Sequence, residues 1–129
     1  MGLTADAAAP TDAAPPAPVE AIDLEHLARM TLGERGLEAE VLTLFEQQAV
    51  VLLARMRDSA PAAVAAFAHT LKGSARGIGA WRVAHAAAAV EMDAIGATGE
   101  VAAAVSGLAA AVEEAKAAIA DRLRPRTAR

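Results

Sequence analysis

Apolar residues recur along the chain at spacings of three and four positions, which is the spacing of one helix face. The clearest stripe lies near the C-terminal end and comprises Val101, Val105, Leu108, Val112, Ala115 and Ile119. Because its steps alternate between four and three, it predicts a helix packed along the seam of an antiparallel bundle. Similar spacing predicts three earlier helices, from about Leu37 to Arg57, from before Val64 to Ile78, and from Trp81 to near Gly96.

Each of these earlier helices carries a set of residues that we expect to face the core. In the helix from about Leu37 to Arg57 they are Val41, Leu44, Phe45, Gln48, Val51, Leu52 and Arg55. In the next helix they are Val64, Phe67, Leu71, Ala75 and Ile78, and in the one after it Val83, Ala87, Val90 and Ala94. Four such helices joined by short loops predict a helical bundle.

A short helix is predicted before these four. Asp23 is a candidate N-cap, the apolar residues are Leu24, Leu27 and Met30, and Gly33 and Gly36 should end the helix. No strand pattern is present in the sequence. We therefore predict an all-α fold, an antiparallel four-helix bundle with a short additional N-terminal helix across one end.

Composition agrees with a single helical domain. The chain has 129 residues, of which 55% are hydrophobic and only 2% aromatic, and alanine supplies much of the hydrophobic share. Alanine is the best helix former and a poor strand former. Prolines among alanines in residues 1–20 predict a disordered tail. The bundle is expected over residues 21–124, with a C-terminal tail at 125–129.

Several functional classes are disfavoured by composition. The chain has no cysteine, so disulfides and thiolate metal sites are excluded. Its formal charge of -4 argues against nucleic-acid binding, and no apolar run is long enough to span a bilayer. No basic residue precedes Arg29, so the N-terminus does not resemble a signal peptide. We expect a cytoplasmic protein. Four arginines near the C-terminal end favour the dipole of the last helix, namely Arg122, Arg124, Arg126 and Arg129.

His69 has an unusual position in its helix. At about 100° per residue, Val64, Phe67, Leu71 and Ile78 fall in one narrow sector, and His69 lies on the opposite side. Lys72 and Arg76 point to the same side as His69. Gly73 costs roughly 1 kcal/mol relative to alanine and has no core contact to justify it. Access to His69 explains this glycine, although an ordinary solvated histidine beside a lysine is the alternative.

These residues match a known pattern. The segment from His69 to Ala75 is HTLKGSA, and it is followed by Ile78-Gly79-Ala80 and by Glu91. This arrangement resembles the histidine-containing phosphotransfer (HPt) domain, whose pattern is H-x-L-K-G-S-[SA], a glycine-small turn and an acidic or amide residue in the next helix. The resemblance extends over residues 22–124 in helix order, and its specific part is residues 69–91.

The resemblance implies a role for each residue of the segment. His69 would be phosphorylated through Nε2 by the aspartyl phosphate of a receiver domain and would pass the group on. Lys72, one turn later, would offset the charge of the phosphoryl oxygens. Gly73 would leave room for the receiver, and Ser74 and Arg76 would contact the partner or the phosphate.

The resemblance also implies a residue that orients the imidazole. Glu91 is expected to hydrogen-bond the other ring nitrogen of His69, where the family often has glutamine. Gln47 and Gln48 in the predicted Leu37–Arg57 helix are further candidates, and the sequence does not rank them.

Receiver domains of response regulators, a hybrid histidine kinase, or both are the partners that the resemblance implies. The receiver would supply a magnesium ion and most catalytic groups, so no cofactor is expected on this chain. Lys72, Arg76 and Arg82 predict a locally positive docking surface. The chain has no glycine-rich nucleotide loop, so we expect a phosphoryl carrier, usually monomeric in this family, and not an independent kinase.

Other readings stay open at this point. A degenerate HPt bundle could bind a receiver or kinase without phosphotransfer, and a helical enzyme could use His69 as a general base. A metal site formed by His69, His85 and Glu91 would need His85 to converge with the others, which its helix phase opposes. We expect His85 and His26 to be plain surface histidines.

Overall fold

The computed structural model describes residues 20–96 and 100–125. In them the chain forms five helices, with the bounds α1 Leu24–Met30, α2 Arg35–Arg57, α3 Pro61–Ile78, α4 Trp81–Gly96 and α5 Val101–Leu123. No strand occurs within these two ranges, so the predicted all-α class with one short and four long helices is confirmed. The predicted tails fall almost wholly outside the described residues, as do Arg126 and Arg129.

The four long helices pack in a closed ring. α2 packs against α3, α3 against α4, α4 against α5, and α5 returns to α2. Side-chain pairs show the antiparallel order, because Glu38 near the start of α2 binds Arg122 near the end of α5. Likewise Arg82 near the start of α4 binds Glu114 in the second half of α5. No helix in the described part of the chain is both long and apolar enough to cross a membrane.

The predicted core faces of α3, α4 and α5 are observed. The buried residues are Val64, Ala68, Leu71, Ala75 and Ile78 in α3, Val83, Ala84, Ala87, Val90 and Ala94 in α4, and Val105, Leu108, Val112, Ala115 and Ile119 in α5. Phe67 is half-buried and packs against this core. The buried stripe of α3 thus places His69, on the other side of that helix, outside the core.

The predicted core face of α2 was wrong in part. The buried residues are Glu38, Leu42, Phe45, Ala49, Leu52, Leu53 and Met56, so only Phe45 and Leu52 of the predicted set are buried. Leu44, Val51 and Arg55 are exposed. Apolar residues lie on more than one face of α2, so more than one set of them has the three- and four-residue spacing of a core stripe. Packing against α3 and α5 selects the other stripe.

Two glycines have different roles, one at the C-terminal end of α3 and one in the first turn of α2. Gly79 has φ +82° and ends α3 in the left-handed conformation that glycine adopts without strain. An added Cβ at Gly79 would lie 2.9 Å from the Asp23 carbonyl oxygen, so no larger residue fits. Gly36 was predicted to follow α1 as a breaker, but it lies inside the first turn of α2, which begins two residues before Leu37.

α1 is fastened to the turn between α3 and α4. Asp23 caps α1 by accepting a bond from the His26 backbone, and its own backbone N–H donates to the Gly79 carbonyl at 2.8 Å. Trp81 Nε1 donates to the Asp23 carboxylate at 2.9 Å. This hydrogen bond is the main cause of the lowered pKa of the Asp23 carboxyl. His26 was predicted to be a plain surface histidine, and this was wrong. Its Nε2 lies 3.0 Å from the Arg76 carbonyl oxygen, and its ring packs against Trp81.

A buried ion pair joins α2 to α5. Arg122 Nε lies 2.9 Å from one carboxylate oxygen of Glu38, and its Nη2 lies 3.3 Å from the other. The Glu38 side chain is only 8% exposed. Arg122 therefore does more than complement a helix dipole, since it neutralises a carboxylate that the bundle has taken out of water.

Candidate functional site

His69 lies in the middle of α3 with about two thirds of its side chain exposed. The core stripe of α3 turns it outward and towards α4. There its Nδ1 lies 2.9 Å from Oε2 of Glu91, which belongs to α4. The two residues meet because α3 and α4 are joined by a tight turn at Gly79 and Ala80 and run back along each other.

Glu91 also binds Lys72. The ammonium of Lys72 donates to Glu91 Oε1 at 2.7 Å, and both side chains are about four-fifths covered. The hydrogen bond from Lys72 lowers the pKa of the Glu91 carboxyl; desolvation opposes this, and the bond from His69 adds to it. Glu91 is therefore held as a carboxylate with one oxygen on the imidazole and one on the ammonium.

The charge on Glu91 determines which imidazole nitrogen carries the proton. A carboxylate can only accept hydrogen bonds, so Nδ1 of His69 must be the donor. In the neutral ring the lone pair then lies on Nε2, the nitrogen away from Glu91. This arrangement leaves a nucleophilic nitrogen at the exposed edge of the ring.

The remaining residues of the predicted site are placed unequally. Gly73 is exposed, and a Cβ added there would meet nothing within 4 Å, so the glycine fills no packing need inside the molecule. Arg76 is exposed on the same side of α3, about two turns beyond His69. Ser74 is half-buried and lies about 140° from His69 around the helix, so the fold does not bring it next to the imidazole.

The alternative imidazole partners are not brought to His69. Gln47 is exposed and Gln48 half-buried on α2, and the contact on His69 Nδ1 is made by Glu91. His85 is exposed on α4 and does not join His69 and Glu91. Among residues 20–96 and 100–125, no three histidine, aspartate or glutamate side chains are grouped so that they could hold a metal ion.

Two features of this region were missed by sequence reasoning. Lys72 is paired with Glu91, whereas the sequence indicated only that it lies near His69. Arg82, expected to add positive charge to a docking surface, is paired with Glu114 on α5. The i to i+3 spacing of His69 and Lys72 was a usable signal for the first, because a carboxylate that reaches one of them can reach both.

The fold and the site define an all-α bundle that presents a histidine, held by a carboxylate, on the surface of one helix. The Hpt domain family matches residues 40–122, which is more than half of the chain, and the chain belongs to this family. Hpt domains take part in histidine phosphotransfer in phosphorelays and interact there with receiver domains and kinases, and membership supports that role here. No curated protein and no solved structure matches the chain.

Proposed function

We propose that this protein carries a phosphoryl group between receiver-domain aspartates, with Nε2 of His69 as the atom that accepts and returns it. The observation that carries the proposal is the bond between His69 Nδ1 and Glu91 Oε2, in a side chain that is 67% exposed. It leaves the nucleophilic lone pair on the nitrogen that a partner can reach.

In the proposed step Nε2 attacks the phosphorus of an aspartyl phosphate on the receiver. The N–P bond forms, the bond from phosphorus to the aspartyl oxygen breaks, and the aspartate leaves as a carboxylate. The proton on Nδ1 stays in place, so the phosphorylated ring carries a positive charge that the Glu91 carboxylate balances. The reverse step returns the group to an aspartate by the same atoms.

Lys72 has two possible anionic partners in this scheme. Before transfer it binds Glu91 Oε1 at 2.7 Å. One helical turn from His69, its flexible stem lets the ammonium move towards the phosphoryl oxygens as they arrive. Positioning and charge compensation are the main demands of phosphoryl transfer. The magnesium ion and the remaining catalytic groups belong, in this proposal, to the receiver.

Phosphotransfer from purified, phosphorylated receiver domains of the source organism tests the proposal. Incubation with a phosphorylated receiver should place an acid-labile, base-stable phosphoryl group on this chain, and His69→Gln should abolish it. His85→Gln is the matched control, because His85 is also exposed but lies outside the Glu91 contact. The control should accept phosphate as the unmodified protein does.

Three outcomes contradict the proposal. Binding of receivers with no transfer from any of them would assign the chain to the non-catalytic adaptors. Labelling by ATP alone would identify a kinase activity. Transfer that survives His69→Gln would place the phosphoryl group on another residue.

A further inference from the structure

Lys72 lies one helical turn from His69, and its ammonium is already bound to a carboxylate. Its Nζ lies 2.7 Å from Glu91 Oε1, and the two side chains are only 18% and 20% exposed. Water screens this ion pair less than an open pair on the surface, so the attraction between its charges is stronger. The hydrogen bond from Lys72 is also the main cause of the lowered pKa of the Glu91 carboxyl. Glu91 thus holds the cation that an incoming phosphoryl group needs.

The formal charges of the three side chains cancel before transfer. His69 is neutral in the tautomer that Glu91 selects, Glu91 carries one negative charge, and Lys72 carries one positive charge. Transfer to Nε2 adds a phosphoryl dianion and leaves a positive charge on the ring, so the phosphorylated site has one net negative charge. With a glutamine in place of Glu91, the site would have one net positive charge before transfer and none after it. The carboxylate therefore leaves the phosphorylated state short of one cation.

The Glu91 carboxylate acts on both parts of a phosphorylated His69. It attracts the positive charge of the imidazole, which is close, and repels the phosphoryl group, which lies across the ring but carries two negative charges. Since a Coulomb energy falls only with the inverse of distance, these two effects largely offset each other. What remains is the competition for Lys72. Its ammonium has three N–H donors but one charge, so it either leaves a covered carboxylate or gives the phosphoryl group only part of that charge.

The neighbouring charged side chains are further from the position of the phosphoryl group. Arg76 lies seven residues after His69 on α3, which is about 10 Å along the helix axis. Asp93 lies on α4, two residues after Glu91, and its direction differs from that of Glu91 by about 160° around the helix. The balance between Glu91 and Lys72 therefore dominates the charge at the imidazole.

We propose that Glu91 biases phosphoryl exchange towards release, because its carboxylate competes with the phosphoryl group on His69 for the ammonium of Lys72. This competition raises the free energy of the phosphorylated chain relative to that of a chain with a neutral side chain at position 91. The inference rests on the proposed phosphotransfer function. It adds a bias in direction, from His69 towards the aspartate of a receiver, and it assigns that bias to one carboxylate.

The equilibrium distribution of phosphate between the chain and a receiver tests this inference. A receiver that exchanges phosphate with the unmodified chain is mixed with each variant, once starting from the phosphorylated receiver and once from the phosphorylated chain. The equilibrium constant for phosphorylation of the chain is taken where the two mixtures agree. Because every mixture contains the same receiver, its catalytic groups change the rate of exchange but cancel when the constants of two variants are compared.

The variants should follow the charge of the site. Glu91→Gln should raise the constant about fivefold or more, since its amide oxygen can still accept from Nδ1 of His69 while Lys72 is released. Lys72→Gln should lower the constant. The double variant has the same net charge as the unmodified site and should lie close to the unmodified value. Asp93→Asn is the control, because it removes a carboxylate on another side of α4, and it should leave the constant unchanged. Thermal melting followed by circular dichroism checks that each variant is folded.

Three results would overturn the inference and leave the phosphotransfer proposal standing. One is a constant for Glu91→Gln that equals or falls below that of the unmodified chain. Another is a change in the same direction for Glu91→Gln and Lys72→Gln, because altered site geometry and not charge would then explain both. The third is a rise for Asp93→Asn as large as that for Glu91→Gln, which would assign the bias to the charge of the whole chain. Failure of every receiver to exchange phosphate with the unmodified chain would instead overturn the proposed function.

Discussion

Glu91 links the two residues that give the site its chemistry. Its carboxylate accepts from His69 Nδ1 through one oxygen and from Lys72 through the other. A side chain that is only 20% exposed would be costly to keep charged without such partners. The same pair of contacts fixes the imidazole tautomer and keeps the ammonium one turn from the reacting nitrogen.

The pH dependence of stability should reveal the charge on Glu91. Because the folded-state pKa of Glu91 is lowered, its contribution is complete above the unfolded-state pKa and is lost as the pH falls through the folded value. We therefore expect the unmodified protein to melt at a higher temperature than Glu91→Gln near pH 7. The difference should shrink below about pH 4. Thermal unfolding followed by circular dichroism between neutral and acidic pH measures this.

Glu113 provides the control for that experiment. It forms an exposed pair with Lys116 three residues away and touches neither His69 nor Lys72. Glu113→Gln should melt close to the unmodified protein at every pH, since exposed pairs contribute little. An advantage of Glu91 over glutamine that grows towards acid pH would contradict the assignment of a lowered pKa.

At the scale of single elements, helix patterns predicted α3, α4 and α5 with their core faces but misplaced that of α2. α3 and α5 each have one apolar stripe, so periodicity alone sets their orientation. α2 has Leu44 and Val51 on one face and Leu42 and Ala49 on another, and only packing distinguishes them. The histidine site was predictable for the same reason as α3, because the orientation of His69 follows from its stripe. The spacing of His69 and Lys72 shows only that one carboxylate can reach both side chains. That Glu91 is this carboxylate depends on the distance between two helices, which no local pattern encodes.

The turn between α3 and α4 positions Glu91 opposite His69, and Gly79 makes that turn possible. Gly79→Ala places a side chain at φ +82° and sets its Cβ against the Asp23 carbonyl. We expect a loss of about 2 kcal/mol or more in the free energy of unfolding, measured by urea denaturation. Gly77→Ala is the matched control two residues earlier. A Cβ there meets nothing within 4 Å inside a regular helix, so this variant should be neutral or up to about 1 kcal/mol more stable. Equal effects of the two substitutions would contradict the role given to Gly79.

At the scale of the whole molecule, the ring of four helices is closed between its first and last members. The Glu38–Arg122 pair lies at that closure, and its carboxylate is almost completely covered. The sequence gives no sign of it, because the partners are 84 positions apart and each looks like an ordinary surface charge. Burial arises only when α5 returns to α2.

Breaking the pair from one side should be more damaging than removing it altogether. Arg122→Met leaves the Glu38 carboxylate buried without a counter-ion, and we expect a loss of about 2 kcal/mol or more in the free energy of unfolding. The double variant Glu38→Leu, Arg122→Met removes both charges and should recover most of that loss. Chemical denaturation of the three proteins measures the difference. A double variant less stable than Arg122→Met alone would show that the pair itself, and not the unpaired carboxylate, sets the energetics.

The contacts that hold α1 against the turn between α3 and α4 have a spectroscopic consequence. Trp81 is the single tryptophan of a chain without tyrosine, and its indole N–H is bonded to Asp23 while His26 packs against its ring. All ultraviolet emission excited near 295 nm therefore comes from one indole at the junction of α1, α3 and α4. Trp81 is already 36% exposed, and release of α1 alone would expose more of its indole to water. The emission would then be quenched or red-shifted, while the far-ultraviolet signal of the four long helices stayed constant. The protein thus contains a built-in optical probe that separates local undocking of α1 from unfolding of the bundle.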